Sequence, residues 1–418
     1  MSESSAVSAR DTLRTVMIMK RTVMGAGRPG AAVLAAAAAL AAVPGAAHAA
    51  PAAAVTAKAP ADLNPDDFVL RRGADLSGAV GALDAGLRRS GVDALIRSSG
   101  QSRLGRGCGG AAGVPAHSLV HCFDRADSTT RAWVPQGVTT VSDAAGGERL
   151  PGGGRPILVS WHDSGKVRLT FVDPDRRTYR HVLLVEPSKN GFGDIGIHAG
   201  GIAWYGDKLY VADTRHGIRE FDMRHIYDLA KSKAGSTAHS GWVGLHHGKY
   251  YGHGFRYVMP QTGGWRWANG KVGAKCRGTG PIRMSWMSVD RTTWPHSLVA
   301  GEYCRPNWPR GRVVTWRLGA LSGGGRVRPS WGAVLPAYRI QGAVRTHGRW
   351  WFTQSHGHKR GTLLTTHPTS RGWAKVKRRT ISYGPEDLAC HRGRHRIWTV
   401  AEYAGKRALW SFPASTCS

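Results

Sequence analysis

The sequence predicts an all-β fold assembled from repeats, and three observations predict it. From Thr129 onward, short runs of β-branched and aromatic residues alternate with Gly, Asp, Asn and Pro turns. These runs recur in pairs. Each pair is followed by a third run and, in most cases, by a fourth.

The pairs are 136–141 with 156–161, 200–204 with 208–213, 281–286 with 297–302, 341–344 with 349–354, and 386–389 with 396–402. Third runs follow at 167–172, 217–221, 312–318, 362–366 and 407–412. Fourth runs follow the first four, at 179–185, 255–259, 334–340 and 376–382. Repeats of ~40–50 residues with four strands each are the pattern of propeller blades, which bury their faces only by stacking around an axis. The expected fold is therefore a β-propeller of five blades over 129–418. The fifth blade lacks its outer strand, because the chain ends soon after Phe412. The spare run 131–135 is expected to pair with the third strand of blade five and close the ring, removing an exposed sheet edge. Six blades or a pair of β-sandwiches are the alternatives, since the connection 224–256 is long enough to hide further strands.

The segment His198-Ala199-Gly200-Gly201-Ile202-Ala203-Trp204, with Leu209-Tyr210-Val211-Ala212-Asp213, carries a resemblance over residues 129–417. It resembles secreted bacterial β-propeller proteins, and more loosely the five-bladed olfactomedin domains and the gluconolactonase-like propellers. The resemblance implies the fold and no activity, because propellers host many unrelated functions. No set of metal-ligand motifs from either named family is present.

The N-terminus reads as an export signal. Scattered basic residues (Arg10, Arg14, Lys20, Arg21 and Arg28) precede an alanine-rich run from 31 to 43, and Ala47-His48-Ala49 supplies a small-residue cleavage site. The apolar run is shorter than the roughly 20 residues a membrane-spanning helix needs. Residues 1–49 are thus expected to be a signal peptide, leaving a secreted, extracellular protein with no integral membrane segment, and a monomer. Residues 50–128 read as an N-terminal extension. It opens with an Ala- and Pro-rich linker, continues with a short helix marked by Leu76, Val80, Leu83 and Leu87, and carries the first cysteine pair.

All six cysteines follow the signal: Cys108, Cys122, Cys276, Cys304, Cys390 and Cys417. An even number in an oxidising compartment reads as disulfides, and six cysteines allow 15 pairings. The sequential pairing is favoured because each bridge then closes a short loop. No C-x-x-C spacing exists, which argues against a zinc cluster or a redox site.

The formal charge is +31. Loss of residues 1–49 removes five basic and two acidic residues, leaving +28. A surface this basic suits an extracellular polyanion or glycan, such as an anionic wall polymer. Arginine is spread along the whole chain, so charge alone marks no site.

Propeller geometry does mark one. The loop entering a first strand and the loop leaving a second strand open on the same face. Gln136, His198, Gln341, Glu386 and Asp387 enter. His162, Asp163, Asp213, Glu302, Gln354, His356 and Glu402 leave. Carboxylates are scarce in this chain, yet Asp213, Glu302 and Glu402 hold equivalent positions in three blades, with Glu386 beside them. These four are candidate ligands for a hard cation such as Ca²⁺, which takes oxygen donors. Glu386, Asp387 and Glu402 are candidate catalytic acids and bases on a sugar or lactone. Gln136, His198, Gln341, His162, Gln354 and His356 are candidate ligand-binding residues. Carboxylates at strand ends also cap turns or pair with neighbouring arginines, which is the structural alternative.

His246-His247 with His253, and His356 with His358, are weaker metal-binding candidates in Gly-rich loops. Trp265 and Trp267 are candidate sugar-stacking surfaces, whereas the other strand tryptophans are expected to pack between blades. No G-x-S-x-G, no phosphate-binding Gly loop and no H-E-x-x-H occurs. Three functions remain: a secreted propeller binding an anionic glycan or wall polymer at its mouth, an extracellular hydrolase or lyase acting on a carbohydrate or lactone, and a partner-docking scaffold.

Overall fold

The computed structural model describes residues 63–418; the expected signal segment and most of the expected linker lie outside the described residues. Among the described residues the strands form three four-stranded antiparallel sheets and one 13-stranded sheet that holds the first two of the strand units described below, besides two two-stranded hairpins. The innermost strands of the five units are Val134–Thr140, Ile202–Tyr205, Met284–Asp290, Ile340–Thr346 and Ala389–His391. These strands neighbour one another in cyclic order, which makes the architecture all-β and propeller-like.

The first unit shows why the sequence takes this form. Val134–Thr140, Ile157–His162, Val167–Asp173 and Thr178–Ser188 pair in order. The two middle strands are buried along almost their whole length. They therefore read as continuous apolar runs and not as alternating ones. Tryptophans fill the seams. Trp161 of the first unit packs with Trp398, Val400 and Leu409 of the last. Trp286 of the third packs with Ala343 and Phe352 of the fourth.

At the axis the strands meet backbone to backbone, and only glycine permits it. A Cβ on Gly201 would lie 2.1 Å from the Met287 nitrogen, and one on Gly342 would lie 2.4 Å from the Asp387 Cα. The axis is thereby closed beneath its mouth.

The last unit is completed by a strand from the N-terminal side, but not by 131–135. Leu119–His121 pairs with Leu409–Ser411, while Val134 and Pro135 pair with His162 and Trp161. The physical reason is continuity. Residues 134–140 form one unbroken inner strand, and an outer edge lies three strand spacings away, roughly 14 Å. The helix Arg125–Thr129, capped by Asp124, joins the closing strand to the inner one. The Cys108–Cys122 disulfide fastens the closing strand at its base. The other two bridges join Cys276 to Cys304 and Cys390 to Cys417.

The fourth strand of the second unit also differs from expectation. It spans Tyr257–Trp267 and serves two units. Val258–Pro260 run parallel to Leu183–Val185 of the first unit, and residues from Gln261 to Arg266 pair with Gly217–Phe221. One sheet therefore joins the first two units. The long connection before it holds Tyr227–Asp228, a short 3-10 turn and the hairpin Val243–His246/Lys249–Gly252, with no further four-stranded unit among the described residues. In the third unit the inner strand begins at Met284 and not at 281, because Arg283 donates its N–H to the Glu302 carboxylate at 2.9 Å.

Residues before 129 pack on these sheets. Leu70–Arg72 pairs with Trp265–Trp267 and with Arg326–Val327. The helix Ser77–Leu83 buries Val80 and Leu83, and Leu83 and Leu87 join Leu183, Val185 and Tyr227 in one apolar cluster. No helix among the described residues is long and apolar enough to cross a membrane.

Candidate functional site at the mouth of the axis

The entering and leaving loops do converge, and the floor of the mouth is a pair of carboxyls. Glu386 sits just before the innermost strand of the last unit, and Glu402 directly follows the second strand of that unit. The two carboxyls lie close enough for each to act on the other's pKa. Gln341 Nε2 donates to Glu386 Oε1 at 2.8 Å, and Gln136 Nε2 donates to Glu402 Oε2 at 3.3 Å. Burial holds the Glu386 carboxyl well above the usual carboxylate range, and the charges of Glu402 and Asp387 push it further. Burial also raises Glu402, opposed by its bonds to Gln136, Tyr403 and Glu386. Glu386 is 1% exposed and Glu402 is half-buried, so Glu402 is the member that faces solvent.

Asp387 lies below this pair and is wholly buried. Its Oδ1 accepts from the Leu388 N–H at 2.9 Å, and the N–H groups of Val138, Ile202 and Met287 face its carboxyl from three other inner strands. Burial raises its pKa as well. Asp387 closes the axis and is not open to a ligand.

Above the floor is a cleft of about 640 Å³. Gln341 links cleft to floor, and the walls include His198, Arg215, Arg219, Arg283, Tyr303, Arg305 and Trp308. Asp213 is the one carboxylate in the lining. It is already engaged, by Arg219 Nε at 3.1 Å and by His216 Nδ1 at 3.0 Å. Arg215, Arg283 and Arg305 have no carboxylate side-chain partner among the described residues. Arg305 lies over the Trp308 ring at 5.5 Å. Arg215 is close enough to Arg283 to lower its pKa, after burial, the larger cause. Like charges held this way favour an anion between them.

His198 stands within this wall, crowded by protein yet open to solvent. Its ring lies 4.4 Å from that of His162. Burial, then His162 and Arg283, push its pKa down to about 4. His162 is lowered by burial too. Both are neutral at neutral pH, and each can accept a hydrogen bond.

The other expected site residues are committed elsewhere. Glu302 is buried with Arg312, accepting from its Nε at 3.1 Å and from its backbone N–H at 3.0 Å. Gln354 Nε2 donates to Tyr338 O at 2.9 Å and its Oε1 accepts from Arg378. His356 Nε2 bonds Thr362 Oγ1 at 2.9 Å. Trp265 and Trp267 are 0% and 7% exposed, so neither is a stacking surface. Both lie in an apolar cluster with Phe68, Leu70, Ile218 and Trp316.

The four carboxylates expected around Ca²⁺ do not form one ligand set. Among the described residues, the three potential ligands that do gather are Cys276, Glu302 and Cys304, and both cysteines are in the disulfide. Asp213 is paired with Arg219 and Glu302 with Arg312, and Glu386 and Glu402 accept from Gln341 and Gln136.

Sequence reasoning missed Arg215, Arg283, Arg305, Trp308, Tyr303 and Tyr403. For the tyrosines a signal was present. Glu-Tyr recurs at 302–303 and 402–403, at the same place in two repeats.

The fold and the mouth together define a propeller-like β protein with a basic cleft beside a close pair of carboxyls. No family model and no curated protein matches the chain. Among solved structures the chain is similar to a luciferin-regenerating enzyme, at 9% identity and a TM-score of 0.29, over 71% of this chain and 80% of that one. A likeness that distant carries no argument about activity.

Proposed function

We propose that this is an exported five-bladed propeller that binds an anionic extracellular ligand, an acidic glycan or wall polymer, at the mouth of its axis. The observation that carries the reading is the cleft wall, where Arg215, Arg283 and Arg305 face a ligand-sized space with no carboxylate partner of their own. Tyr303 and Trp308 add flat surfaces against which a sugar ring packs. The export signal and three disulfides fit an extracellular setting. Calorimetric titration with an oligouronate and with its neutral counterpart tests this. The oligouronate is expected to bind more tightly, and Arg283→Ala to weaken it about tenfold, the scale of one hydrogen bond to a charged group. Equal binding of the neutral sugar overturns the reading.

A second reading is an extracellular hydrolase or lyase acting on a carbohydrate or lactone. The Glu386–Glu402 pair favours it, since a buried carboxyl with a raised pKa beside a half-buried one is what general acid and base chemistry needs. Glu402→Gln then abolishes turnover of any bound glycan while leaving its binding intact.

A further inference from the structure

A second basic cleft lies away from the mouth, where the N-terminal extension meets the seam of the first two units. It has a volume of about 370 Å³ and is bounded by residues 88–91, 94 and 97–99 on one side and by Asp228, Lys231, Arg256 and Tyr257 on the other. Ligand pockets begin at about 300 Å³, so the space suits one charged group with its attached ring or polyol.

Charge is what distinguishes this cleft. Five cationic side chains line it, and Asp228 is the one carboxylate in the lining. Three of the cations are fixed by acids. Arg256 makes a two-pronged pair with Asp228 at 2.9 and 2.7 Å. Arg89 pairs with Asp84, and Arg97 with Asp93. Arg88 and Lys231 have no acidic partner among the described residues, and both are exposed at the rim. The wall behind them is rigid. Arg256 lies over the buried Tyr257 ring at 5.0 Å and Arg180 lies over it at 5.9 Å, while Arg180 is tied to the Ser99 carbonyl. Two unpaired cations before an immobilised guanidinium are a preorganised seat for a compact, multiply charged anion.

We infer that this cleft is a second binding site, separate from the mouth, for a tetrahedral oxyanion ester, a sulfate or phosphate carried on a sugar or polyol. Arg88 and Lys231 supply the charge, and Arg256 presents its remaining N–H edge. A sulfated glycan and a polyol-phosphate wall polymer offer the same head group, and the probes separate them.

The experiment is calorimetric titration of the full mature chain, at low salt, with a sulfated disaccharide and with a short glycerol-phosphate oligomer. Low salt matters because exposed charges are screened over about 10 Å at 0.1 M. At least one probe is expected to bind, and the one that binds identifies the source. The double variant Arg88→Ala, Lys231→Ala is expected to weaken that probe at least tenfold with an unchanged melting temperature, because both side chains are exposed. Arg283→Ala in the mouth is expected to leave it unchanged. Absence of binding by both probes overturns the inference. So does binding that survives the double variant, or binding lost in Arg283→Ala, which would place the anion at the mouth.

Discussion

Glu386 and Glu402 lie side by side at the floor of the mouth, and each accepts a hydrogen bond from a glutamine of another unit. Gln341 reaches Glu386 at 2.8 Å and Gln136 reaches Glu402 at 3.3 Å. The chain supplies this acid pair from one unit and its amide donors from two others, so the arrangement exists only when the ring is assembled.

The first expectation concerns pH. The pKa of Glu386 is raised in the folded state, so the native protein keeps a proton that the unfolded chain releases. Its contribution to stability is complete below the unfolded value, near 4.3, and declines as pH rises towards the folded pKa. Glu386→Gln mimics the protonated form and removes that decline. Denaturation of the variant and the wild type across pH 4–8 should show the variant gaining relative stability with rising pH. A constant difference would mean that Glu386 is ionised in the fold.

Glu302 should behave differently from Glu402, although Glu302 ends one second strand of the repeat and Glu402 directly follows another. Glu302 and Arg312 are each 1% exposed and satisfied by one another. Glu302→Ala takes away the main partner of the buried Arg312 guanidinium, leaving it the Gly280 carbonyl and a 3.9 Å contact with Asp67, and is expected to cost about 3 kcal/mol. Glu402→Gln keeps its hydrogen-bond shape and is expected to leave the unfolding midpoint nearly unchanged. Chemical denaturation of both variants checks the contrast.

Ring closure should depend on the first disulfide. Cys108–Cys122 closes a separation of 14 residues and anchors Leu119–His121 against Leu409–Ser411. Replacing both cysteines by serine is expected to lower stability by about 3 kcal/mol, as loop entropy implies. It should also raise amide exchange at 409–411 before other strands, because the outermost strand of the last unit loosens first. Uniform exchange across all units would contradict this.

His198 offers a spectroscopic check of the mouth. Its pKa is pushed down to about 4 by burial and by His162 and Arg283. Its imidazole proton resonance should titrate well below the ordinary histidine value of about 6.5. In Arg283→Ala the midpoint should rise, since one repelling charge is gone. A midpoint that stays near 6.5 would show that neither burial nor Arg283 acts on the ring.

The middle strands were the most legible part of the fold. Lys208–Asp213 and Ser297–Glu302 match their expected runs residue for residue, because strands buried on both faces carry uninterrupted β-branched and aromatic runs. Outer strands carried less signal. The expected run 255–259 overlaps only the first three residues of Tyr257–Trp267, whose Pro260 and Gly263-Gly264 break the pattern. The closing strand Leu119–His121 is three residues long, too short to stand out from its loop. In the site, Glu386, Glu402, Gln136 and Gln341 were legible because they sit at repeated positions. Asp213 and Glu302 sit at the same repeated positions and serve as ion-pair partners, which repeat position alone cannot reveal. The arginines of the cleft were invisible for a simpler reason: arginine is spread along the whole chain, and only folding selects Arg215, Arg283 and Arg305.

A crystal structure of the mature protein with an oligouronate bound reads the mouth directly. A sugar carboxylate is expected between Arg215 and Arg283, with its ring against Tyr303 or Trp308 and Glu402 within hydrogen-bond reach of the ligand. An oligouronate seated away from the mouth, with Arg215 and Arg283 still unengaged, would contradict this placement.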